Sequence, residues 1–199
     1  MKIHRIVSKT LAEGPGCRFC IWVQGCKHHC KGCFATDTWD LHSGTEYTPQ
    51  QIIEQLEKVL SDIDGITFLG GEPFLQAEEL SIVAGYVRSQ GKSVIAFSGY
   101  TYDELLNSEE DGIKKLLANV DLLIDGKYIE ELQDFSRPLV GSENQRFIYL
   151  SDKISPEVME SYKNRFEIRI SKDGAVTVNG MGDINKLNDS IKNNEFRRI

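Results

Sequence analysis

The 199-residue sequence contains no long apolar run, no excess of positive charge and no internal repeat. No segment approaches the ~18 consecutive apolar residues that a membrane-spanning helix needs, and the amino terminus is too polar for a signal peptide. The formal net charge of −7 and the isoelectric point near 5.2 argue against nucleic acid as the main partner. These absences predict a cytoplasmic protein with neither a membrane nor a nucleic-acid partner.

The remaining composition is that of an ordinary globular chain. Hydrophobic residues make up 40% and charged residues 27% of the sequence, and such values argue against wholesale disorder. The length is sufficient for one domain with a substantial core.

Cysteine is scarce, but three of the five cysteines are crowded into one segment. Cys26, Cys30 and Cys33 have the spacing C-x3-C-x2-C. In a cytoplasmic chain, cysteines are more often metal ligands than disulfide partners. A structural zinc ion takes four ligands, whereas an iron–sulfur cubane held by three thiolates leaves one iron open for a substrate. The spacing therefore favours a [4Fe–4S] cluster and an enzyme.

The other two cysteines keep a zinc site open as an alternative. Cys17-x2-Cys20 and Cys30-x2-Cys33 resemble two zinc knuckles, although the gap between the pairs is short. Cys17 and Cys20 fall in a predicted strand, where an odd separation places side chains on opposite faces. We therefore predict that both are small core residues.

Strand and helix signals alternate along the first 150 residues. Helix signals are the N-cap and first-turn pair Thr48-Pro49 and apolar residues at helical spacing within 52–60, 80–87, 103–106 and 112–118. Buried strands are predicted at about 3–8, 18–24, 66–69, 93–97, 121–124 and 146–150. This alternation predicts an α/β fold with a parallel sheet and crossover helices.

Polar, glycine-bearing segments follow four of the predicted strands. They are the cysteine segment, Gly70-Gly71-Glu72-Pro73, Ser98-Gly99-Tyr100-Thr101 and Asp125-Gly126-Lys127. Ligands of open α/β sheets bind outside the carboxyl ends of the strands. We therefore expect these segments to share one edge of a curved sheet and to form one site.

These motifs resemble the radical S-adenosylmethionine (SAM) superfamily, in which C-x3-C-x2-C and Gly-Gly-Glu-Pro occur in this order. The match is closest to the activases of anaerobic, glycyl-radical ribonucleotide reductases. Further segments that carry this resemblance lie at 14–18, 23–26, 33–39, 98–101, 123–127 and 140–145. The resemblance spans residues 6–150 and implies a partial, open radical SAM α/β barrel. One departure is Gly32, where many superfamily members carry an aromatic residue.

The resemblance implies a specific chemistry. Cys26, Cys30 and Cys33 would hold one [4Fe–4S] cluster, whose open iron would chelate SAM. Reductive cleavage of SAM would yield a 5′-deoxyadenosyl radical, which would form a glycyl radical on a partner enzyme, here anaerobic (class III) ribonucleotide reductase. Flavodoxin or a similar low-potential protein would donate the electron. The alternatives are another glycyl radical enzyme, a peptide substrate, or a zinc-stabilised binding module without catalysis.

The same resemblance implies which residues bind SAM. Glu72 would accept the SAM ammonium in a charge-assisted hydrogen bond, supported by Gly70 and Gly71. Phe34, which follows the last cysteine of the motif as in the activases, would pack against the adenine.

Other candidate residues have both a functional and a structural interpretation. Ser98 and Thr101 would contact SAM, or would serve as polar loop residues and helix caps. Asp125 and Lys127 match an Asp-x-Lys element of the activases and are predicted catalytic residues near SAM or the glycine loop. The alternative for this pair is a surface ion pair.

The cysteine segment also contains two histidines and two lysines. His28 and His29 are expected to be solvated and are not assigned as ligands. Lys27 and Lys31 are either solvated charges or a positive patch for an acidic electron donor.

The chain beyond the family resemblance is predicted to form an extension. We expect a core at residues 1–151 and an extension at 152–199 that packs on it. Asp173-Gly174 between two strand-like runs predicts a hairpin. Helix signals are Ser155-Pro156 and the apolar residues Ile184, Leu187 and Ile191. The extension would serve a variant partner or act as a regulatory or docking element.

Overall fold

One seven-stranded sheet forms the frame of the molecule. The computed structural model describes residues 1–183 and residue 189. The strands of the sheet are β1 (Lys2–Thr10), β2 (Arg18–Val23), β3 (Thr45–Glu46), β4 (Gly65–Gly70), β5 (Ser93–Phe97), β6 (Leu122–Asp125) and β7 (Arg146–Tyr149). Their order across the sheet is β3-β1-β2-β4-β5-β6-β7. Six of the seven were predicted, and the short edge strand β3 was not.

The strands β2, β4, β5 and β6 run parallel, whereas both edges of the sheet are antiparallel. The prediction of a parallel sheet is therefore right for the centre and wrong for the edges. Residues 11–17 between β1 and β2 are fewer than the dozen or so that a parallel crossover needs. Residues 126–145 between β6 and β7, all of them described, contain no α-helix that could cross the sheet. The fold is a mixed α/β sheet, and its closure into an open barrel stays a prediction.

The first four of the helices named next cover one face of the sheet, and the fifth packs on the other face. Their bounds are α1 (Pro49–Glu57), α2 (Ala77–Ser89), α3 (Tyr102–Leu106), α4 (Asp111–Leu117) and α5 (Pro156–Ser161). The predicted cap of α1 is present, because the Thr48 and Gln51 side chains each accept a hydrogen bond from the other's backbone N–H. The apolar sides of α1, α2 and α4 pack with strand residues such as Phe19 and Phe68 in the main core. No helix within residues 1–183 and 189 has the length and hydropathy to cross a membrane.

Successive residues of β2 point to opposite faces of the sheet. Phe19 belongs to the core under the helices, whereas Cys20 and Trp22 belong to a small cluster on the other face. Cys17 contacts the helix-side core, so the predicted separation of Cys17 and Cys20 is confirmed. Cys17 precedes β2 and is only half-buried, so its assignment to the core holds only in part. Two thiols on opposite faces cannot bind one zinc ion.

The chain after β7 packs on the face of the sheet opposite α1, α2 and α4, which is called the inner face from here on. Met159 and Tyr162, at the end of α5, pack against Ile95 and the inner side of β6. The Tyr162 hydroxyl donates a hydrogen bond to the carbonyl of Leu11 (3.0 Å) and accepts one from the N–H of Gly14 (3.3 Å). These contacts attach the segment to the connection between β1 and β2.

A hairpin follows, as Asp173-Gly174 predicts. Its strands are β8 (Phe166–Ile170) and β9 (Val176–Gly180), which pair with each other in a separate two-stranded sheet. The predicted last helix, marked by Ile184, Leu187 and Ile191, lies outside the described residues. The division into a core at 1–151 and an extension at 152–199 stays a prediction.

A buried arginine holds the amino-terminal ends of the central strands together. The Arg18 side chain is fully buried and donates hydrogen bonds to the Thr67 hydroxyl (2.7 Å), the Ile66 carbonyl (2.5 Å) and the Ser93 carbonyl (3.0 Å). It also reaches the Ser93 hydroxyl (3.0 Å) and the Pro15 carbonyl (3.3 Å). Burial lowers the pKa of Arg18 to about 10, so the side chain remains a cation at neutral pH.

We expect Arg18→Met to lower the free energy of unfolding by about 3 kcal/mol or more, because each buried acceptor left without a donor costs about 1–3 kcal/mol. The measurement is urea unfolding of the anaerobically purified protein. As a control, Lys9→Ala removes an exposed ion pair with Asp62 (3.1 Å) and should change stability by at most about 1 kcal/mol. Equal stability of Arg18→Met and wild type would contradict the role of Arg18.

Candidate active site

A cavity of about 400 Å³ lies at the carboxyl ends of the central strands. All four predicted strand-end segments contribute to its lining. The contributing residues are Cys26, His28, Cys30, Cys33, Gly70, Gly71, Glu72, Ser98, Gly99 and Gly126. Trp22, Leu69 and Phe97 from the strands add an apolar floor. The predicted convergence of the segments is therefore present.

The three motif cysteines face this one cavity. Cys26 is buried, whereas Cys30 and Cys33 are half-buried, and all three are free thiols. Burial raises the pKa of Cys26 and of Cys30. Among the described residues, no three His, Cys, Asp or Glu side chains are arranged to hold a single metal ion. Three thiols line one cavity, with Cys17 and Cys20 placed elsewhere, and three is the number of thiolates that a cluster with one open iron needs. That these three cysteines hold the cluster stays a prediction.

The backbone of the cysteine segment explains the departure at Gly32. Gly32 has a φ of +75°, in the left-handed region that side chains rarely adopt. A Cβ there would lie 2.9 Å from the Glu130 carboxylate and 3.2 Å from the Tyr128 ring. Tyr128 lines the cavity, so an aromatic ring from another loop stands beside the position where the superfamily resemblance led us to expect an aromatic residue.

The Glu72 carboxylate is the centre of the site's hydrogen bonding. Its side chain is 1% exposed. Oε1 accepts hydrogen bonds from the Phe74 N–H (3.0 Å) and the Ser98 hydroxyl (3.0 Å). Oε2 accepts from the Gly99 N–H (2.7 Å) and lies 3.2 Å from Nε2 of His28. One carboxylate thus joins the cysteine segment to the ends of β4 and β5.

Gly70 and Gly71 allow Glu72 to reach this position. Gly70 has a φ of +99°, and a Cβ there would lie 2.7 Å from Cα of Trp22. A Cβ on Gly71 would lie 2.3 Å from the carbonyl oxygen of Gly25. The backbone N–H of Glu72 donates a hydrogen bond to that same carbonyl (2.8 Å). The two glycines therefore permit backbone contact with the start of the cysteine segment.

The expectation that His28 is solvated is wrong. Its side chain is 8% exposed, and its ring meets the Tyr100 ring edge-on at a centroid distance of 4.5 Å. The ring also covers Gly99, where an added Cβ would lie 2.4 Å from His28 Cδ2. His29 is exposed and stacks on Trp39. His29 has a φ of 47°, and the two neighbouring rings contact different partners, Tyr100 for His28 and Trp39 for His29.

Ser98 and Thr101 have different roles in the structure. Ser98 is buried, lines the cavity and donates its hydroxyl hydrogen to Glu72. Thr101 caps α3, accepting from the Glu104 N–H, and does not line the cavity. The helix-cap interpretation therefore describes Thr101, and contact with SAM stays a prediction for both residues.

Asp125 lies beside the cavity and is fully buried. Its carboxylate accepts hydrogen bonds from Nε (3.0 Å) and Nη2 (2.5 Å) of Arg146 and from the Tyr102 N–H (2.6 Å). Lys127 is exposed, and neither Asp125 nor Lys127 lines the cavity. The ion pair of Asp125 is thus formed with Arg146, not with Lys127. The catalytic roles of Asp125 and Lys127 stay predictions.

Phe34 stands at the mouth of the cavity. Its side chain is 62% exposed, and its ring lies 6.2 Å from the Tyr128 ring and 6.1 Å from the Phe135 ring, centroid to centroid. An exposed aromatic ring at the mouth is free to stack on a planar ligand, so the predicted contact with adenine is sterically open.

One wall of the cavity was not predicted. Phe166, Val178 and Asn179 of the β8–β9 hairpin line the cavity, as does Glu13 after β1. Glu13 is buried, and burial raises its pKa to about 7. The sequence contains no local signal for this wall, because it depends on how residues far apart in the chain pack together.

Comparison with known proteins shows which family this chain matches. A family model described as a 4Fe-4S single cluster domain matches residues 12–148. The anaerobic ribonucleoside-triphosphate reductase-activating protein of Vibrio cholerae is 35% identical over 153 residues, covering 73% of this chain and 96% of the relative. The protein of the same description from Enterobacteria phage T4 is 33% identical, covering 73% and 92%.

Two other matches are weaker in coverage or similarity. The pyruvate formate-lyase-activating enzyme of Clostridium pasteurianum is 35% identical over 136 residues, covering 65% of this chain but 54% of the relative. The crystal structure of QueE from Escherichia coli aligns with 50% of this chain and 52% of its own at 18% identity and a TM-score of 0.41. That similarity is too low to support an argument.

We expect Cys26→Ser, Cys30→Ser and Cys33→Ser each to lose iron, because each removes one of three thiolates from one cluster. Anaerobically reconstituted wild type should contain about four irons per chain, measured with sulfide by chemical analysis. Cys17→Ala and Cys20→Ala are matched controls and should retain the iron. Loss of iron in either control with the fold intact would contradict the assignment of ligands.

Proposed function

The chain belongs to the family of anaerobic ribonucleoside-triphosphate reductase-activating proteins, and from that membership we propose that it generates a glycyl radical on a partner enzyme. The partner proposed is an anaerobic (class III) ribonucleotide reductase. The observation that carries the proposal is the placement of three cysteine thiols and the buried Glu72 carboxylate around one cavity. The relatives named for that activity are covered over more than nine tenths of their length by this chain.

Cys26, Cys30 and Cys33 are the residues that would hold the cluster. When bound, a three-thiolate [4Fe–4S] cluster supplies an open iron for SAM and the electron that cleaves SAM to methionine and a 5′-deoxyadenosyl radical. The thiols must be deprotonated to act as ligands, and burial of Cys26 and Cys30 favours the protonated state. Assembly of the site therefore releases protons from these residues.

Glu72 is the residue proposed to receive the ammonium group of SAM. Two backbone N–H groups and the Ser98 hydroxyl donate hydrogen bonds to its carboxylate. A carboxylate held by several donors is fixed in orientation before the ligand arrives, which lowers the cost of binding. His28 shares Oε2 of Glu72 and so positions the carboxylate from the side of the cysteine segment.

The inner face of the sheet is proposed to exclude water from the reaction. Trp22, Leu69 and Phe97 form the apolar floor of the cavity. In this proposal the sheet is a partial barrel, with β3 and β7 as its two free edges. A radical reaction needs such protection because water and stray hydrogen donors compete with the intended substrate.

The predicted catalytic pair divides into two roles within this proposal. Unlike Glu72, Asp125 does not line the cavity, and its carboxylate pairs with Arg146 and the Tyr102 N–H, so Asp125 would position the end of β6. Lys127 is exposed and is the better candidate for contact with SAM or the glycine loop.

The electron donor and the location of the protein are also proposed. Flavodoxin or a similar acidic, low-potential protein in the cytoplasm would supply the electron. Lys27 is exposed, whereas the exposed Lys31 is paired with Glu130 (2.7 Å) and Glu131 (3.5 Å). This pairing supports the interpretation of Lys31 as a solvated surface charge and leaves Lys27 as the contact for a donor.

A second candidate function differs only in the target. The relative named pyruvate formate-lyase-activating enzyme favours another glycyl radical enzyme as an alternative partner, although this chain covers only 54% of that relative. A peptide substrate has no specific observation in its favour. The zinc-module alternative requires Cys17 and Cys20 in one site, and their placement on opposite faces argues against it.

We expect Glu72→Gln to weaken SAM binding by roughly tenfold to more than a hundredfold, because loss of a charge-assisted hydrogen bond costs about 1.5–3 kcal/mol. Iron content should be unchanged, since Glu72 is not a thiolate ligand. Anaerobic titration with SAM measures the affinity. Glu78→Gln, in an exposed ion pair with Lys115, is the control and should bind SAM as wild type does. Unchanged affinity in Glu72→Gln would remove Glu72 from the SAM site.

The proposed function is tested by anaerobic incubation with SAM, a low-potential reductant and the reductase encoded in the same genome. We expect a glycyl radical doublet in the electron paramagnetic resonance spectrum, and none with the Cys30→Ser protein. No doublet, with cluster and SAM both bound, would contradict the proposal. A doublet formed only with a pyruvate formate-lyase would support the second candidate.

A further inference from the structure

The β8–β9 hairpin buries its polar face and exposes much of its apolar face. Its two buried side chains, Glu167 and Asn179, are polar and lie opposite each other on one face. The other face is apolar and carries Phe166, Ile168, Ile170, Val176 and Val178. On that face Ile170 is 73% exposed and Val176 is 59% exposed. Burying the polar face is the reverse of the usual arrangement.

Specific hydrogen bonds hold the polar face against the core. The Asn179 amide donates to the Thr10 hydroxyl (3.0 Å) and to Oε1 of Glu13 (3.2 Å). The N–H of Leu11 donates to Oε1 of Glu167 (2.6 Å). Buried polar groups in proteins are normally hydrogen-bonded, as these are. A shift of one residue in the register of the hairpin would turn Glu167 and Asn179 to the other face and remove all of these bonds. The outward direction of the apolar face is therefore fixed by the polar contacts.

The apolar face is continuous with the cavity. Phe166 and Val178, at one end of this face, line the cavity, and Ile170 and Val176 lie at the other end. The chain after β9 packs on the same end, since a Cβ on Gly182 would lie 3.1 Å from the Phe166 ring. The face thus extends from the mouth of the cavity to solvent.

We propose that this apolar face is the docking surface for the glycyl radical enzyme and directs its glycine-bearing loop into the cavity. This inference rests on the proposed function. A cavity of about 400 Å³ is of the size that holds a small molecule, so a folded partner must remain outside and insert only a loop. That partner contacts whatever borders the mouth. A contiguous exposed apolar surface at that border is typical of a protein interaction site.

The test compares Ile170→Ser/Val176→Ser with Ile82→Ser. Ile82 is 52% exposed on α2, the helix that packs on the opposite face of the sheet, so its replacement removes a similar apolar surface away from the cavity. The readout is the reductase concentration that gives half-maximal glycyl radical, measured at saturating SAM. We expect an increase of about tenfold or more for the double variant and none for Ile82→Ser. Iron content, SAM affinity and SAM cleavage without reductase should match wild type.

Several outcomes would overturn the inference. An unchanged half-maximal concentration would reject the docking surface and leave the proposed function standing, whereas a wild type that forms no glycyl radical rejects both. Loss of self-association in sedimentation, with activation unchanged, would assign the face to a second copy of the chain. If the double variant unfolds at a lower temperature than Ile82→Ser while activation is unchanged, the apolar face would be assigned to another part of the same chain.

The isosteric Val176→Thr variant, which retains the shape of the side chain, separates loss of docking from misfolding. It should also raise the reductase concentration that gives half-maximal glycyl radical.

Discussion

The site depends on one buried carboxylate that three loops share. Glu72 accepts hydrogen bonds from the loops after β4 and β5, and His28 reaches it from the cysteine segment. Burying a polar group in such a position costs free energy unless its atoms have hydrogen-bond partners, and the two oxygens of Glu72 have four partners. Removing the carboxylate would leave buried donors without an acceptor. The relative placement of the thiols and the strand ends therefore follows from this interaction.

The hydrogen bonding of Glu72 is possible because the backbone at Gly71 lies close to the backbone at Gly25. Gly71 leaves room for the carbonyl of Gly25, which the Glu72 N–H then contacts. The amino-terminal end of the same strands is held by Arg18, whose guanidinium satisfies backbone carbonyls and two hydroxyls. The central strands are thus held at one end by the buried Arg18 guanidinium and at the other by the buried Glu72 side chain. Between them lie the apolar residues of the inner face, and the hairpin forms an additional wall.

The features that were predictable from the sequence are local ones. The cysteine spacing, the alternation of strands and helices, and the turn at Asp173-Gly174 each depend on neighbouring residues, and the order of strand-end segments follows from parallel topology. The buried position of His28 depends on contacts with Glu72 and Tyr100, which lie far from it in the chain and leave no signal in the local composition. The burial of Glu167 and Asn179 depends on partners more than 150 residues away in the chain. Long-range pairing of this kind leaves no periodic signal.

The central claim is that three thiolates and Glu72 bring SAM to one open iron. Electron–nuclear double resonance of the reduced protein with SAM labelled with ¹⁵N at the amino group and ¹⁷O at the carboxylate tests it most directly. The account predicts hyperfine coupling of both labels to the cluster, because direct coordination transmits spin density to the ligand atoms. Tight binding of SAM without either coupling would contradict the account, since SAM would then occupy a site away from the thiolates.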